Sequence, residues 1–577
     1  MMHRSFRLAR WLLLLSAQLW TGLAGIGMPA SSPCRAASRA VTAFGALPNG
    51  GRDCAAAIQS AIDASAAGDT VRLPSGTLLV NHTIRPKTGV KIAGCGREHT
   101  ILKCQAEKPF DVFDLSGMRN VELSHFAIDG GDNAGARCGI SAVGGGGHRI
   151  HDLKIHNLGA PGALGIHFGG RDTNYDHGVC DCLIADNVIS NISLDSAWGG
   201  GIRLSWGSSR NRVLRNAIDN TGRGGIFADN GSADLTICHN RVTRSGRKAE
   251  KLGLEIWKDC DRVVIEDNTI DHWLSVGGAA RVAVRRNTIS EKSGDVGFLG
   301  LELIGQDVVA TDNLVDDGQQ IGISVSNDAH NEYQYCAHNT VRNMVQWAVQ
   351  VQGDKAGARM LYYYKNAFLI TQRGNPAAIY PHAAGRGFRF NGNCHFVTLD
   401  ANEILDNRAE GIELGGGRLD GISIVNNVIR GNAMAAVCGR AGADFEWAGN
   451  TVAGNGSNRP FASHGSLGPK PAASFRCSSS PTVGQTVNFT NTSAAAAGGL
   501  GHVLWDFGDG VPSTSFHGSH TYGRAGTYRV TLVVWDKAGR GAMKKQSITV
   551  LRGSPAGGET TPGHPGASYR ADTGGRR

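Results

Sequence analysis

Apolar and polar residues alternate in short runs down the middle of the chain. They stand at Ile202-Arg203-Leu204, Ile226-Phe227-Ala228-Asp229, Leu254-Glu255-Ile256-Trp257-Lys258, Leu301-Glu302-Leu303, Ile323-Ser324-Val325-Ser326, Val349-Gln350-Val351-Gln352, Ile379-Tyr380-Pro381-His382 and Ile412-Glu413-Leu414. Period-two alternation predicts a strand at each. Because the phase is the same in every run, stacking would bring one set of side chains to a single face: Arg203, Phe227, Asp229, Glu255, Trp257, Glu302, Gln350 and Tyr380.

Between these runs a second pattern repeats, Val-x-Ile-x-x-Asn-x-Ile followed by a turn. Its asparagines are Asn187, Asn216, Asn240, Asn268, Asn287, Asn313, Asn339, Asn366, Asn402, Asn427 and Asn450, at intervals of 19 to 36 residues. A three-sided solenoid needs about 25 residues per turn, and variable corners explain the scatter. Stacked amides at a corner would hydrogen-bond along the axis, so these asparagines are structural. The widest interval, Asn366 to Asn402, predicts an inserted loop containing Arg386 to His395. The 81 glycines against 17 prolines fit short strands with many corners.

At the amino-terminal end, Ala57, Ile58, Ala61 and Ile62 make a helical face within Cys54 to Ala67. A strand ending in Pro74-Ser75-Gly76 and the step Val90-Lys91-Ile92-Ala93-Gly94 follow. This arrangement resembles the entry of the pectate lyase-like superfamily, which implies a right-handed parallel β-helix with a capping helix. Near the other end, Trp505-Asp506-Phe507-Gly508-Asp509-Gly510, His520-Thr521-Tyr522 and Gly526-Thr527-Tyr528 are similar to the motifs of a PKD-type immunoglobulin-like domain. The expected fold class is all-β: a β-helix over 41–458, a linker over 459–471, a β-sandwich over 472–551 and a flexible tail over 552–577. The resemblance implies that the PKD-type domain is a spacer or adhesion module, and that the Asp506 and Asp509 pair shapes a turn.

Residues 1–40 read as an export signal and mature amino terminus, with His3, Arg4, Arg7 and Arg10 ahead of an apolar run from Trp11 to Trp20. A secreted protein is expected, extracellular, at the cell surface or periplasmic, with no membrane insertion after cleavage. Removing the five basic residues of 1–40 takes the formal charge from +9 to +4. That excess is too small to point to nucleic acid, and only a local basic cluster would support an acidic polysaccharide. Export also leads some of the 13 cysteines to be expected in disulfides, with Cys95–Cys104 or Cys54–Cys95 as candidates. No spacing matches a zinc site.

On the repeated face one column reads His167, Arg203, Phe227, Glu255, Ser275, Glu302, Ser324, Gln350, Tyr380 and Glu413. The column two residues on reads Ser205, Asp229, Trp257, Ser326, Gln352 and His382. Polar groups interleaved with aromatics suit a polysaccharide, bound by a monomer. The expected catalytic carboxylates are Glu255, Glu302 and Asp229; Arg203, Phe227, Trp257, Lys258, Gln350, Gln352, Tyr380 and His382 would bind substrate. Glu255 and Glu302, two rungs or about 9 to 10 Å apart, could place an acid and a base around a glycosidic oxygen. β-Elimination would instead need a base and a cation on a uronate, with calcium as the candidate cofactor and Asp229 and Asp259 among its oxygens.

The Asn-Thr-Asp, Asp-Asp, Gly-His-Gly and Arg-Ile-Lys series of polygalacturonases is absent, as is the Arg-x-Pro-x-x-Arg pattern of calcium-dependent pectate lyases. The resemblance therefore implies fold and substrate class and leaves the reaction open. Hydrolysis and β-elimination stand level. A non-catalytic glycan-binding protein and a C5-epimerase are the alternatives.

Overall fold

Parallel strands too short to be stable alone stack into three sides of a solenoid in the computed structural model. It describes residues 36–169, 175–247, 251–290, 297–317, 319–326, 331–369, 385–459, 461–477, 481–495 and 498–553. One side, called here the groove side, runs through Leu164–Phe168, Gly200–Leu204, Gly224–Asp229, Leu254–Trp257 and the start of Leu274–Arg285. It continues through Gly297–Gln306, Gln319–Val325, Trp347–Tyr364, Arg386–Asp400 and Ile412–Leu414. A second side, the docking side, holds Leu183–Ala185, Arg212–Leu214, Ala233–Cys238, Asp261–Glu266 and the end of Leu274–Arg285. The third is a sheet of sixteen strands from Asn49–Asp53 to Thr451–Ala453.

The inward positions make the core. Ile166, Ile202, Ile226, Leu254, Leu274, Leu301, Ile323, Val349, Phe388 and Ile412 are in register on successive rungs, and all are fully buried. Each contributes about 1.5–3 kcal/mol of apolar burial. Phe388 occupies a rung that the alternation had assigned to Ile379. Arg386 to His395 is therefore a strand and not an inserted loop: Gly387-Phe388 repeats the phase of Gly225-Ile226 and pairs with the rungs on both sides.

The expected asparagine stack runs unbroken from Asn187 to Asn450. Each side-chain amide donates to the Oδ1 of the next asparagine at 2.9–3.0 Å. The same Oδ1 accepts the backbone N–H of the asparagine before it, as Asn313 does for Asn287 at 3.0 Å. A shorter stack, Asn407–Asn432–Asn455, lies at another corner.

At the amino-terminal end the helix covers Ala55–Asp63 and stops short of Ala67. Lys87 Nζ takes the carbonyls of Asp63 and Ser65, and the Ser65 hydroxyl donates to Ala61, so the chain turns away there. No described helix is long and apolar enough to cross a membrane. All twelve described cysteines are free. The expected pairings do not form: Cys104 is buried, with burial pushing its thiol up to about 12, while Cys54 donates to the Leu47 and Arg52 carbonyls and Cys95 to that of Leu73.

Past the last rung, 461–471 packs instead of spanning free space: Phe445 and His464 exchange backbone hydrogen bonds, and the Phe461 ring lies tilted against Phe445 and Trp447. Two antiparallel three-stranded sheets then enclose Phe489, Trp505, Phe507 and Tyr522 as a small sandwich. This domain is seated on the docking side. Arg285, fully buried, joins Glu266 at 2.8 Å to Asp506 at 2.6 Å and donates to the Gly510 carbonyl. Asp506 also accepts the Gly508 N–H, so the turn-forming aspartate is a tether as well. His502 meets Asp307 at 2.6 Å, and Tyr335, Tyr362, Leu504, Val533 and Trp535 share one apolar cluster.

Two stability measurements follow. Asn313→Ala strands the Asn287 donors and the Val284 carbonyl, and should cost about 3 kcal/mol in urea unfolding, against less than about 1.5 kcal/mol for Asn450→Ala at the part-buried end. Arg285→Met leaves Asp506 buried without a cation, while Glu266 keeps Arg286 at 3.0 Å. It should cost about 3–5 kcal/mol, with faster hydrogen exchange through residues 506–510.

Candidate active site

The register brings the predicted column together. His167, Arg203, Phe227, Glu255, Ser275, Glu302, Ser324 and Gln350 follow one another rung by rung, then Arg389 and Glu413. Arg389 takes the rung expected for Tyr380, and Asn391, paired with Gln352, takes that expected for His382. Tyr380 and His382 themselves lie outside the described residues. Asp229 and Trp257 pair on the neighbouring column as expected.

These side chains line a groove rather than standing clear of the surface. Glu255 is 8% exposed and Glu302 7%. The Arg223 Nη2 reaches both oxygens of Glu255, at 3.0 and 2.8 Å. Arg203 holds Asp229 Oδ2 at 3.0 and 2.7 Å, and Asn230 donates to the other oxygen. Glu302 has a different shell. The Trp273 indole donates to its Oε2 at 3.2 Å, Ser275 to the same oxygen at 2.7 Å, and Ser326 to Oε1 at 3.4 Å. No cation pairs with it among the described residues. Burial is the largest cause of a raised carboxyl pKa there, the charge of Glu255 adds to it, and the three donors oppose it.

Aromatic side chains edge the groove. Trp257, 47% exposed, lies flat over Gly277, where a Cβ would come 2.4 Å from the ring. Trp198 is 71% exposed, with the Arg223 guanidinium 5.7 Å from its centroid. Together with Pro161, Leu164, Ser196, Arg203 and Trp206, Trp198 borders a hollow of about 390 Å³. Phe227, expected to stack on a sugar, instead packs with Cys138 and Leu164 beneath Arg203, whose guanidinium lies 5.3 Å from the ring centroid. Its ring is buried, so it presents no face to a ligand. Gln350 is likewise buried and donates to Gln352 at 2.7 Å, while Lys258 is exposed at the groove edge.

Sequence reasoning missed Arg223, Trp273, Trp198 and Trp206. The two outer tryptophans had a signal: Trp198-Gly199-Gly200 and Ser205-Trp206-Gly207 flank the Ile202 strand. The oxygens expected for calcium do not converge. Asp229 is closed by Arg203 and Asn230, and Asp259 accepts the Tyr175 hydroxyl at 3.2 Å. Among the described residues no three His, Cys, Asp or Glu stand together as metal ligands.

Residues 38–227 match the family model of the rhamnogalacturonase A/epimerase, pectate lyase-like group, and residues 469–550 match that of the PKD domain. The chain thus carries a pectate lyase-like parallel β-helix followed by a carboxy-terminal PKD domain, as the motifs implied. Among individual proteins, it is 35% identical over 92 residues to a microbial collagenase of Vibrio alginolyticus, covering 16% of this chain and 11% of that one. It is 30% identical over 122 residues to a pre-neck appendage protein of Bacillus phage B103, covering 20% and 14%. The chain therefore spans about a tenth of the length of these curated relatives. Among solved structures, the Azotobacter vinelandii mannuronan C-5 epimerase AlgE6 A-module aligns at 16% identity over 72% of this chain and 98% of that one, with a TM-score of 0.37.

The raised pKa of Glu302 has a stability signature. Its folded-state carboxyl holds a proton more tightly than the unfolded one, so stability is lost as pH rises from the ordinary carboxyl range through the folded pKa. Glu302→Gln, which cannot ionise, should match the wild type at acid pH and exceed it at neutral pH in thermal unfolding.

Proposed function

We propose that the chain is an exported carbohydrate-active enzyme that hydrolyses a glycosidic bond of a polysaccharide in this groove, with Glu302 as general acid and Glu255 as base. The observation that carries the reading is the contrast between the two carboxyls. Glu302 is buried among neutral donors and keeps its proton to higher pH, while Glu255 sits beside a guanidinium two rungs away. A buried carboxyl that keeps its proton suits the acid role, and a second carboxyl two rungs away is available as the base.

Two rungs separate their backbones by about 9 to 10 Å, a spacing from which the side chains could bring the carboxyls near the ~6.5–9.5 Å of inverting glycosidases. Glu302 would protonate the leaving glycosidic oxygen. Glu255 would draw the proton from a water attacking the opposite face of the sugar, using the lone pairs that Arg223 leaves open. Asp229 orients the cationic side of the groove through Arg203, and Trp257 and Trp198 offer faces to pyranose rings.

Elimination is less well supported. The groove guanidinium groups are already engaged: Arg203 with Asp229, Arg223 with Glu255, Arg386 with Glu410 and Glu413, and Arg389 with Glu413. A uronate carboxylate at the cleavage point would compete with these acids for a guanidinium, with Lys258 at the groove edge as the other cation at hand, so a neutral sugar fits better there.

The test is incubation with a panel of neutral and acidic polysaccharides, following reducing ends and the ultraviolet absorbance of an unsaturated uronate in parallel. New reducing ends without that absorbance are expected. Glu302→Gln and Glu255→Gln should each lower kcat by about 10²–10⁴-fold with little change in KM. Unsaturated product, or unchanged kcat in both variants, would contradict the assignment.

A further inference from the structure

Between the docking side and the PKD domain lies a cleft of about 750 Å³. Its β-helix wall is a row of residues that each immediately precede a ladder asparagine: Arg215, His239, Asp267, Arg286, Asp312 and His338. Six consecutive rungs spread this row over about 24 Å. The PKD domain brings Arg524, Arg529 and Lys545 to the other wall.

The acids in the lining are largely spoken for. Arg285 binds Glu266 and Asp506, Arg286 binds Asp267, and His520 binds Asp509. Asp312 lies 3.8 Å from Arg529. Arg212 and Arg524 line the cleft without an ion pair among the described residues, and both are exposed. Lys545 Nζ lies 2.7 Å from His338 Nε2 and 4.0 Å from the ring centroid of Tyr364, which Lys365 Nζ approaches at 5.4 Å.

This end of the cleft gathers cations faster than it supplies acids. Burial, then the like charges of Arg529 and Lys365, bring Lys545 down to about 7. Burial and the charge of Lys545 bring His338 down to about 4. An anion entering here would relieve that repulsion.

We propose that the cleft between the β-helix and the PKD domain binds a polyanionic sugar chain, with its acidic groups between Arg212, Arg524 and Lys545 and a ring against Tyr528. Cations at the two ends of this row, Arg212 on its first rung and Lys545 beside His338 on its sixth, suit an extended chain of anions better than a single phosphate. The local basic cluster that an acidic polysaccharide requires is therefore here, on the docking side, while the groove pairs its own guanidinium groups. Binding in the cleft does not depend on whether the groove hydrolyses its substrate.

Calorimetric titration of the full chain tests this, with a short oligogalacturonate, a sulfated oligosaccharide of similar length, a neutral cello-oligosaccharide and inorganic sulfate as probes. At least one anionic oligosaccharide should bind, more weakly as sodium chloride is added and more tightly than sulfate, while any binding of the neutral chain in the groove is indifferent to salt and to Arg524→Gln. The oligosaccharide that binds identifies carboxylate or sulfate as the acidic group. Arg524→Gln, at an exposed position with no ion pair among the described residues, should lower that affinity about tenfold, as should Lys545→Gln, while the groove variant Trp257→Ala leaves it unchanged. The proposal is overturned if neither anionic chain binds more tightly than sulfate, or if Trp257→Ala weakens binding and Arg524→Gln does not.

Discussion

The asparagine ladder is the interaction that fixes the same corner in every coil from Asn187 to Asn450. From Asp186 to Asn426, the residue before each ladder asparagine is a non-glycine in the left-handed region, with φ between +49° and +59°. Such a conformation costs roughly 1–2 kcal/mol at each corner. The offset comes from the buried amide behind it, which ties two backbone groups and the next amide at once. One repeated corner therefore sets the turn angle, the rung spacing and the phase of the strands on both sides of it. Glu255, Ser275 and Glu302 meet in register because their coils share this corner.

Charge is arranged differently on the two sides. In the groove, acids and guanidinium groups fall close enough to pair, leaving Glu302 among neutral donors as the departure from the pattern. On the docking side, the left-handed corner residues point their charges outward in a row, and the PKD domain closes over them. Arg285 makes that closure a packed contact, because its desolvated guanidinium needs acids from both domains. The expected spacer is thus a wall of the molecule. Glu266 and Asp506, 240 residues apart in sequence, are bridged by one side chain.

Much of this was legible in the chain. The alternation of Ile202-Arg203-Leu204 and its repeats carried the column because period two fixes which side chains share a face, and the asparagine spacing carried the corner. The phase failed at Tyr380. Ile379-Tyr380-Pro381-His382 alternates as well as a true rung does, whereas Gly387-Phe388-Arg389-Phe390 is followed by Asn391-Gly392-Asn393 and reads like a turn. Only pairing with both neighbouring rungs separates them. Alternation also says nothing about depth, so Phe227 counted as a sugar platform although its ring packs beneath Arg203. Arg223 and Trp273 stand at strand entrances, outside the alternating pattern, and their bonds to Glu255 and Glu302 arise only when coils stack. The cysteine pairing failed because Cys54 and Cys104 are taken into the solenoid core as small apolar groups while Cys95 stays exposed.

The central claim is that the groove holds a sugar chain with its scissile oxygen between Glu302 and Glu255. A crystal structure of the Glu302→Gln variant with an uncleaved oligosaccharide tests it most directly. The chain should run along the rungs past Trp198 and Trp257, with a glycosidic oxygen within hydrogen-bonding distance of the side chain at position 302 and a water beside Glu255. A chain seated elsewhere on the β-helix, or crossing the groove with no glycosidic oxygen near position 302, would contradict it.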